Sequence, residues 1–128
     1  LTLSTMDANG RSINGFVGLR DLFRLQGSAD LVVLSACDTA LGSEVRGEGL
    51  VGLTRGFLHA GARQVIGTLW PVEDRTNTAL MLEFYKAVLS EGVSVSAALQ
   101  GAQRAIRRQA PHRHPYYWSG VALYGDWE

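Results

Sequence analysis

Two kinds of hydrophobic pattern divide the chain into predicted strands and helices. Residues 31–36 and 65–70 are short, almost continuous apolar runs that end abruptly, which is typical of strands buried on both faces of a parallel sheet. Residues 1–6 and 119–124 are further stretches with a composition compatible with strands, and a turn signal at 7–10 follows the first.

Helical periodicity fills the intervals between these strands. In each predicted helix apolar residues recur every three or four positions, and a glycine or proline follows its last turn. The four segments are about 16–25 before Gly27, 50–60 before Gly61, 76–91 before Gly92, and one capped by Ser94 or Ser96 that ends before Pro111. The order strand, helix, strand over 31–70 predicts a βαβ unit, and the whole pattern predicts one α/β layer fold.

Composition narrows the classes of protein to which the chain could belong. The chain has 128 residues, 46% of them hydrophobic, with twelve Lys and Arg against twelve Asp and Glu. The balanced charge argues against direct nucleic-acid binding and against an acidic membrane surface. One cysteine forms no internal disulfide, so a reducing, cytoplasmic setting is expected. The sequence has no long apolar span and no signal peptide. Because it begins with Leu rather than Met, we expect a piece of a longer protein.

One motif resembles a phosphate-binding loop. Residues 47–52 match G-x-G-x-x-G and open a predicted helix, as in a dinucleotide-binding fingerprint. In that fingerprint the first glycine follows its strand almost directly, whereas here a long loop intervenes and Glu48 would place a carboxylate beside the phosphates. We therefore favour a loop whose glycines allow it to turn into a packed helix, and we expect no cofactor.

The only cysteine, Cys37, follows the first continuous apolar run. Ligands and catalytic groups collect at the carboxyl edge of a parallel sheet, so a thiol at this position is a candidate nucleophile. A free cysteine is also often a small buried hydrophobic residue, and the neighbouring Asp38 disfavours a thiolate. The residues alone leave both interpretations open.

Several blocks, in order, resemble the CHAT domain, a caspase-like module often found behind tetratricopeptide repeats in bacterial proteins. They include Leu-Val-Val-Leu-Ser-Ala-Cys-Asp-Thr-Ala-Leu-Gly at 31–42 and Gly-Thr-Leu-Trp-Pro-Val-Glu-Asp at 67–74. The second of these is also similar to separase. The remaining blocks are residues 47–57, 60–62, 84–85 and 115–120. Together they extend the resemblance over most of the chain.

This resemblance implies a fold, an activity and partners. The fold would be a caspase-like three-layer α/β/α sandwich with a mostly parallel central sheet, incomplete at its N-terminal side, with residues 1–128 forming a single partial domain. The activity would be that of a Cys–His dyad endopeptidase, in which Cys37 is the nucleophile and its backbone N–H forms half of the oxyanion hole. The resemblance implies a protein or peptide substrate, tetratricopeptide repeats in the same full-length chain, and no metal or cofactor.

The catalytic histidine of such enzymes lies upstream of the cysteine, and no histidine precedes Cys37 here. His59 is expected to compensate the charge of a helix C-terminus, and His112 and His114 to lie in a solvated basic turn. We therefore expect the base to lie upstream of this chain. The alternative is a catalytically inactive pseudo-protease that acts as an interaction or signalling module.

Three residues after the second strand are predicted to line a substrate pocket. Trp70 would supply an aromatic wall, and Glu73 and Asp74 would supply carboxylates for a basic side chain. In basic-specific relatives an acidic residue lines this pocket, and Asp74 lies in the matching block. The carboxylates could equally cap the helix that begins near Thr76, so both roles stay open.

Two other clusters are assigned to packing or to solvent. The aromatic residues 116–118 are expected to pack in the core and at the sheet edge rather than to recognise a ligand. Arg104, Arg107, Arg108 and Arg113 form a basic patch that favours a solvated helix face, with a partner-docking surface as the alternative.

Overall fold

A computed structural model describes residues 9, 11, 18–25, 27–34 and 48–126. The predicted strand at 1–6 therefore lies outside the described residues. The described elements are α1 (Leu19–Leu22), β1 (Ala29–Leu34), α2 (Glu48–His59), β2 (Ala62–Thr68), α3 (Asp74–Ser90), α4 (Val95–Arg108), 3₁₀ turns at Ala110–His112 and Pro115–Tyr117, and β3 (Val121–Gly125). These elements confirm a mixed α/β fold, and the predicted helices and strands that lie within the described residues are shifted by a few residues.

The described strands form a mixed sheet in the order β1-β2-β3. β1 and β2 are parallel, with Leu34 opposite Gly67, so the predicted βαβ unit is confirmed. β3 is antiparallel to β2, with Val121 opposite Thr68, whereas the resemblance implied a mostly parallel sheet. The chain enters β3 at the carboxyl end of β2, where the Leu69 N–H donates to the Gly120 carbonyl over 2.7 Å. A strand that enters at this end can pair with β2 only in the opposite direction.

The main hydrophobic core lies between one face of the sheet and helices α3 and α4. Ile66 and Val121 supply the sheet side, and Phe84 of α3 and Ile106 of α4 supply the helix side. The buried positions of α4 fall on one face, as the apolar periodicity predicts. Ser94, rather than Ser96, caps α4, because its hydroxyl accepts the Ala97 N–H over 3.4 Å.

The opposite face of the sheet is covered by α2. Val65 is fully buried, and by strand alternation it points away from its neighbour Ile66. α2 packs against β2 and buries Leu53 outside the main core cluster. The described sheet therefore has helices on both faces.

Gly61 ends α2, as predicted. Its φ of 107° lies in the left-handed region, and a side chain there would collide with the Gly27 carbonyl. The Gly27 N–H in turn donates to the Ala60 carbonyl over 3.0 Å. This close approach fastens the start of β1 to the end of α2.

None of the helices in the described part of the chain is long and apolar enough to cross a membrane.

Candidate functional site

The carboxyl ends of the two parallel strands share one edge of the sheet. Leu34, the last residue of β1, lies opposite Gly67, and β2 ends at Thr68. The loop after β2 leaves from this edge and carries the predicted pocket residues. Cys37 lies outside the described residues, so its catalytic role stays a prediction.

Trp70 and the following Pro71 are held at this edge by two hydrogen bonds to Tyr116, an arrangement that we call the Trp70–Tyr116 clasp. The indole Nε1 of Trp70 donates to the Tyr116 carbonyl over 3.0 Å. The Tyr116 hydroxyl donates to the Pro71 carbonyl over 2.7 Å. The two rings are stacked at 6.3 Å between centroids with an interplanar angle of 20°. The loop after β2 and the 3₁₀ turn before β3 therefore present a joint aromatic surface.

Gly120 provides the space that the Trp70 ring needs. A Cβ at this position would lie 3.0 Å from two indole atoms, Cε2 and Nε1, which is tighter than most such contacts, so the ring would have to shift by a few tenths of an ångström. Gly120 itself is buried and follows the turn that contains Tyr116. Glycine at this position thus favours the observed seating of the indole.

Glu73 immediately precedes α3 and is tied to its surroundings. Its Oε2 accepts the Thr76 hydroxyl over 2.6 Å, and Thr76 is buried. The same oxygen lies 3.8 Å from His112 Nε2, which forms an ion pair with it when the imidazole is protonated. Although Glu73 occupies the N-cap position, its side chain makes no capping hydrogen bond. Its carboxylate instead links the start of α3 to the 3₁₀ turn at Ala110–His112.

Asp74 differs from its neighbour. It is the first residue of α3 and is exposed, and its carboxylate has no hydrogen bond or ion pair within the described residues. A carboxylate in the first turn still gains from the helix dipole. Of the two predicted pocket carboxylates, Asp74 is the one with neither oxygen engaged within the described residues, whereas Glu73 uses its Oε2.

The three histidines have local roles in the fold. His59 ends α2, as predicted, and its ring meets that of Phe23 edge-on at 5.2 Å. His114 Nδ1 accepts the Tyr116 N–H over 3.2 Å. His112 is half-buried, packs edge-on against the Tyr117 ring and lies beside Glu73. The turn that the sequence predicts as solvated therefore orders the Trp70–Tyr116 clasp and its surroundings.

Sequence reasoning missed the part that Tyr116 plays in this site. The aromatic residues 116–118 are interpreted there as packing, and Trp118 does pack against the core cluster. Tyr116, however, is 45% exposed and extends the Trp70 wall. Proximity of residues 115–120 to the end of β2 follows only from antiparallel pairing of β3, which no local pattern indicates.

The arrangement combines a stacked aromatic surface with a free carboxylate. A flat aromatic face attracts a cation, and a carboxylate accepts charge-assisted hydrogen bonds from a guanidinium or ammonium group. The described residues include no cluster of three or more His, Cys, Asp or Glu that could hold a metal ion. The chemistry of the site thus suits a basic organic side chain.

Comparison with known proteins gives two kinds of match. The family model of the CHAT domain matches residues 1–126. Tetratricopeptide repeat protein 28 from Mus musculus is 40% identical over 106 residues, and that from Homo sapiens is 36% identical over 106 residues. Each match covers 83% of this chain but 4% of the relative's length. No solved structure matches the chain.

Proposed function

Because this chain belongs to the CHAT-domain family, we propose that it forms the C-terminal part of a caspase-like cysteine endopeptidase domain. Residues 1–128 would then be a single partial domain of a three-layer α/β/α sandwich. Its catalytic histidine would lie upstream of Leu1. The relatives carry tetratricopeptide repeats by name, and we propose such repeats in the full-length protein that contains this chain.

The observation that carries the proposal is the shared carboxyl edge of β1 and β2. Leu34 and Gly67 are paired there, and the clasped Trp70 follows directly. Cys37 comes three positions after Leu34 in the sequence. A nucleophile delivered by β1 and a substrate wall delivered by β2 would therefore serve the same scissile bond.

The proposed reaction is acyl transfer through a thioester. The Cys37 thiolate attacks the peptide carbonyl carbon, and the Cys37 backbone N–H stabilises the oxyanion of the tetrahedral intermediate. Collapse of this intermediate breaks the C–N bond, and the protonated upstream histidine gives its proton to the leaving amine. Water, deprotonated by the same histidine, then hydrolyses the thioester and releases the acid product and the free thiol.

The proposed pocket takes a lysine or arginine immediately before the scissile bond. Asp74 would bind the charged group, since its carboxylate is exposed and unpaired within the described residues. Trp70 would cover the aliphatic part of the side chain. Glu73 would act as a positioning residue, because it joins Thr76 and His112 rather than facing a free space.

The test is the reactivity of Cys37 in the complete protein. We expect the apparent pKa of this thiol, followed by iodoacetamide alkylation and mass spectrometry, to lie below the ordinary value of about 8.5, because an imidazolium stabilises the thiolate. Cleavage of peptides with Arg before the scissile bond should be abolished by Cys37→Ala. An unshifted alkylation profile together with undiminished cleavage by Cys37→Ala would overturn the proposal.

The second candidate function is a pseudo-protease that binds partners without cutting them. The observation that favours it is that the histidines of this chain are engaged in local contacts of the fold. All three lie in α2 or in the two 3₁₀ turns and their flanks, with local contacts. A complete protein that binds basic peptides through Trp70 and Asp74 but never forms an acyl-enzyme would support this candidate.

A further inference from the structure

The charges of the chain are segregated in spite of the zero net charge. Between Gly92 and Gly125 the sequence contains no Asp or Glu, whereas four of its twelve Lys and Arg residues lie there. All four are arginines, and all are exposed: Arg104, Arg107, Arg108 and Arg113. We call them the arginine surface. A surface of one sign attracts the opposite charge even on a neutral protein.

Two elements build this surface. Arg104, Arg107 and Arg108 are spaced i, i+3 and i+4 in the last turns of α4, so they share one helix face. Arg113 follows the 3₁₀ turn at Ala110–His112, where the chain folds back. The four side chains line an open concavity of about 550 Å³.

Trp118 fixes the relative position of the two elements. Its Nε1 donates to the Arg113 carbonyl over 3.2 Å, and the Arg107 guanidinium lies 5.6 Å from the centroid of its ring. Trp118 also packs against the main core. The backbone of Arg113 and the guanidinium of Arg107 therefore both contact the same half-buried indole.

The guanidiniums have no anionic partner in the described residues. The three ion pairs there involve Arg63 and His112, and none reaches the arginine surface. Compensation of the α4 dipole explains a cation in the last turn, but Arg113 lies beyond the helix. Like charges at i, i+4 repel one another, so Arg104 and Arg108 disfavour each other in the free protein.

We propose that the arginine surface binds an acidic segment of a protein partner, with carboxylate or phosphorylated side chains seated in the concavity. A guanidinium offers paired N–H donors that match both groups, and desolvation by a peptide backbone strengthens those hydrogen bonds. Binding would remove the repulsion between the arginines. None of its four residues belongs to the Trp70–Tyr116 clasp, and the proposal does not depend on peptidase activity.

The geometry favours a peptide over the other polyanions. A nucleic-acid duplex is recognised through positive groups distributed along its regularly spaced phosphates, and a lipid bilayer presents a flat field of headgroups. The arginine surface is compact and concave. A peptide side chain can enter such a space and leave the backbone at its rim.

The experiment measures binding of fluorescent peptides to the complete protein. The probes are a peptide of alternating Glu and Ser, the same peptide with its serines phosphorylated, and a control with Gln in place of Glu. We expect both acidic peptides to bind more weakly as salt increases and the Gln peptide not to bind. The triple variant Arg104→Gln, Arg108→Gln, Arg113→Gln, which keeps Arg107 on Trp118, should weaken binding at least about tenfold.

The matched control removes the same charge elsewhere. Arg20 in α1, Arg24 in the turn between α1 and β1, and Arg55 in α2 are all exposed. The variant with Gln at these three positions should bind the acidic peptides within about twofold of the original protein. If the melting curve shows that the triple test variant does not fold, the peptide affinities of the single variants Arg108→Gln and Arg55→Gln are compared instead. The proposal then requires a loss of affinity in Arg108→Gln that Arg55→Gln does not show. Equal losses in both variants, binding of the Gln peptide, or tighter binding of a DNA duplex or anionic vesicle would overturn the proposal.

Discussion

At the scale of single residues, two adjacent carboxylates have different surroundings. Glu73 receives the Thr76 hydroxyl and lies beside His112, whereas Asp74 is free of such contacts in the described residues. Both residues are carboxylates, so residue type alone does not predict their different surroundings. Their surroundings differ because Glu73 lies immediately before α3, and its carboxylate reaches forward to Thr76 in the first turn of that helix.

This difference predicts the effect of Asp74→Asn on cleavage by the complete protein. If the complete protein cleaves peptides as proposed, loss of the charge should lower kcat/KM for substrates with Arg before the scissile bond by about tenfold or more, and leave kcat/KM for Leu substrates unchanged. Glu83→Gln removes the same charge from an exposed position of α3 and serves as the control. Equal losses on Arg and Leu substrates would contradict the assigned pocket.

Gly120 gives a prediction about stability. Gly120→Ala would press a methyl group against the Trp70 indole, so we expect a loss of about 1–3 kcal/mol in the free energy of unfolding. Gly101→Ala is the matched control, because Gly101 lies in α4 with no atom within 4 Å of the added carbon. There the alanine should stabilise the protein by about 0.5–1 kcal/mol, since glycine is a poor helix former. Chemical denaturation measures the free energy of unfolding of both variants, and we expect it to fall in Gly120→Ala and to rise in Gly101→Ala. Equal changes in the two variants would refute the steric explanation.

At the scale of elements, α3 presents two contrasting faces. Phe84 is 0% exposed in the main core, whereas Leu89 on the same helix is 79% exposed. Phe84→Ala should therefore lower the free energy of unfolding by about 3–5 kcal/mol, because it leaves a cavity between α3 and the sheet. Leu89→Ala should change it by less than about 0.5 kcal/mol. Urea unfolding monitored by circular dichroism checks both values, and similar losses would show that the helix packs differently.

Helices and parallel strands were the elements that local sequence could predict. Apolar periodicity located α2, α3 and α4, since one side of each helix faces the sheet, and the βαβ order predicted the pairing of β1 with β2. The direction of β3 was not predictable in this way. It depends on where the chain returns after α4, which is decided by the packing of Trp118 and by the bond from Leu69 to Gly120.

At the scale of the whole molecule, the candidate site could be predicted only in part. Trp70, Glu73 and Asp74 lie together in sequence, so one motif indicated all three. Tyr116 and His112 come from a segment some forty residues further along, and they join the site only through tertiary contacts. The separation of charge follows from the sequence, but its concave arrangement depends on the fold-back after α4.

The Trp70–Tyr116 clasp links occupancy of the pocket to opening of the chain's last strand. Tyr116 lies just before β3, so if β3 detached from β2, the wall would lose its second ring and the acceptor that holds the indole. A substrate that stacks on the closed wall binds only the form in which β3 is paired. By mass action it would therefore protect that strand from local unfolding. In turn, any event that loosens the strand would weaken binding in the proposed pocket from a distance, without touching Asp74, the carboxylate proposed to bind the substrate's charge.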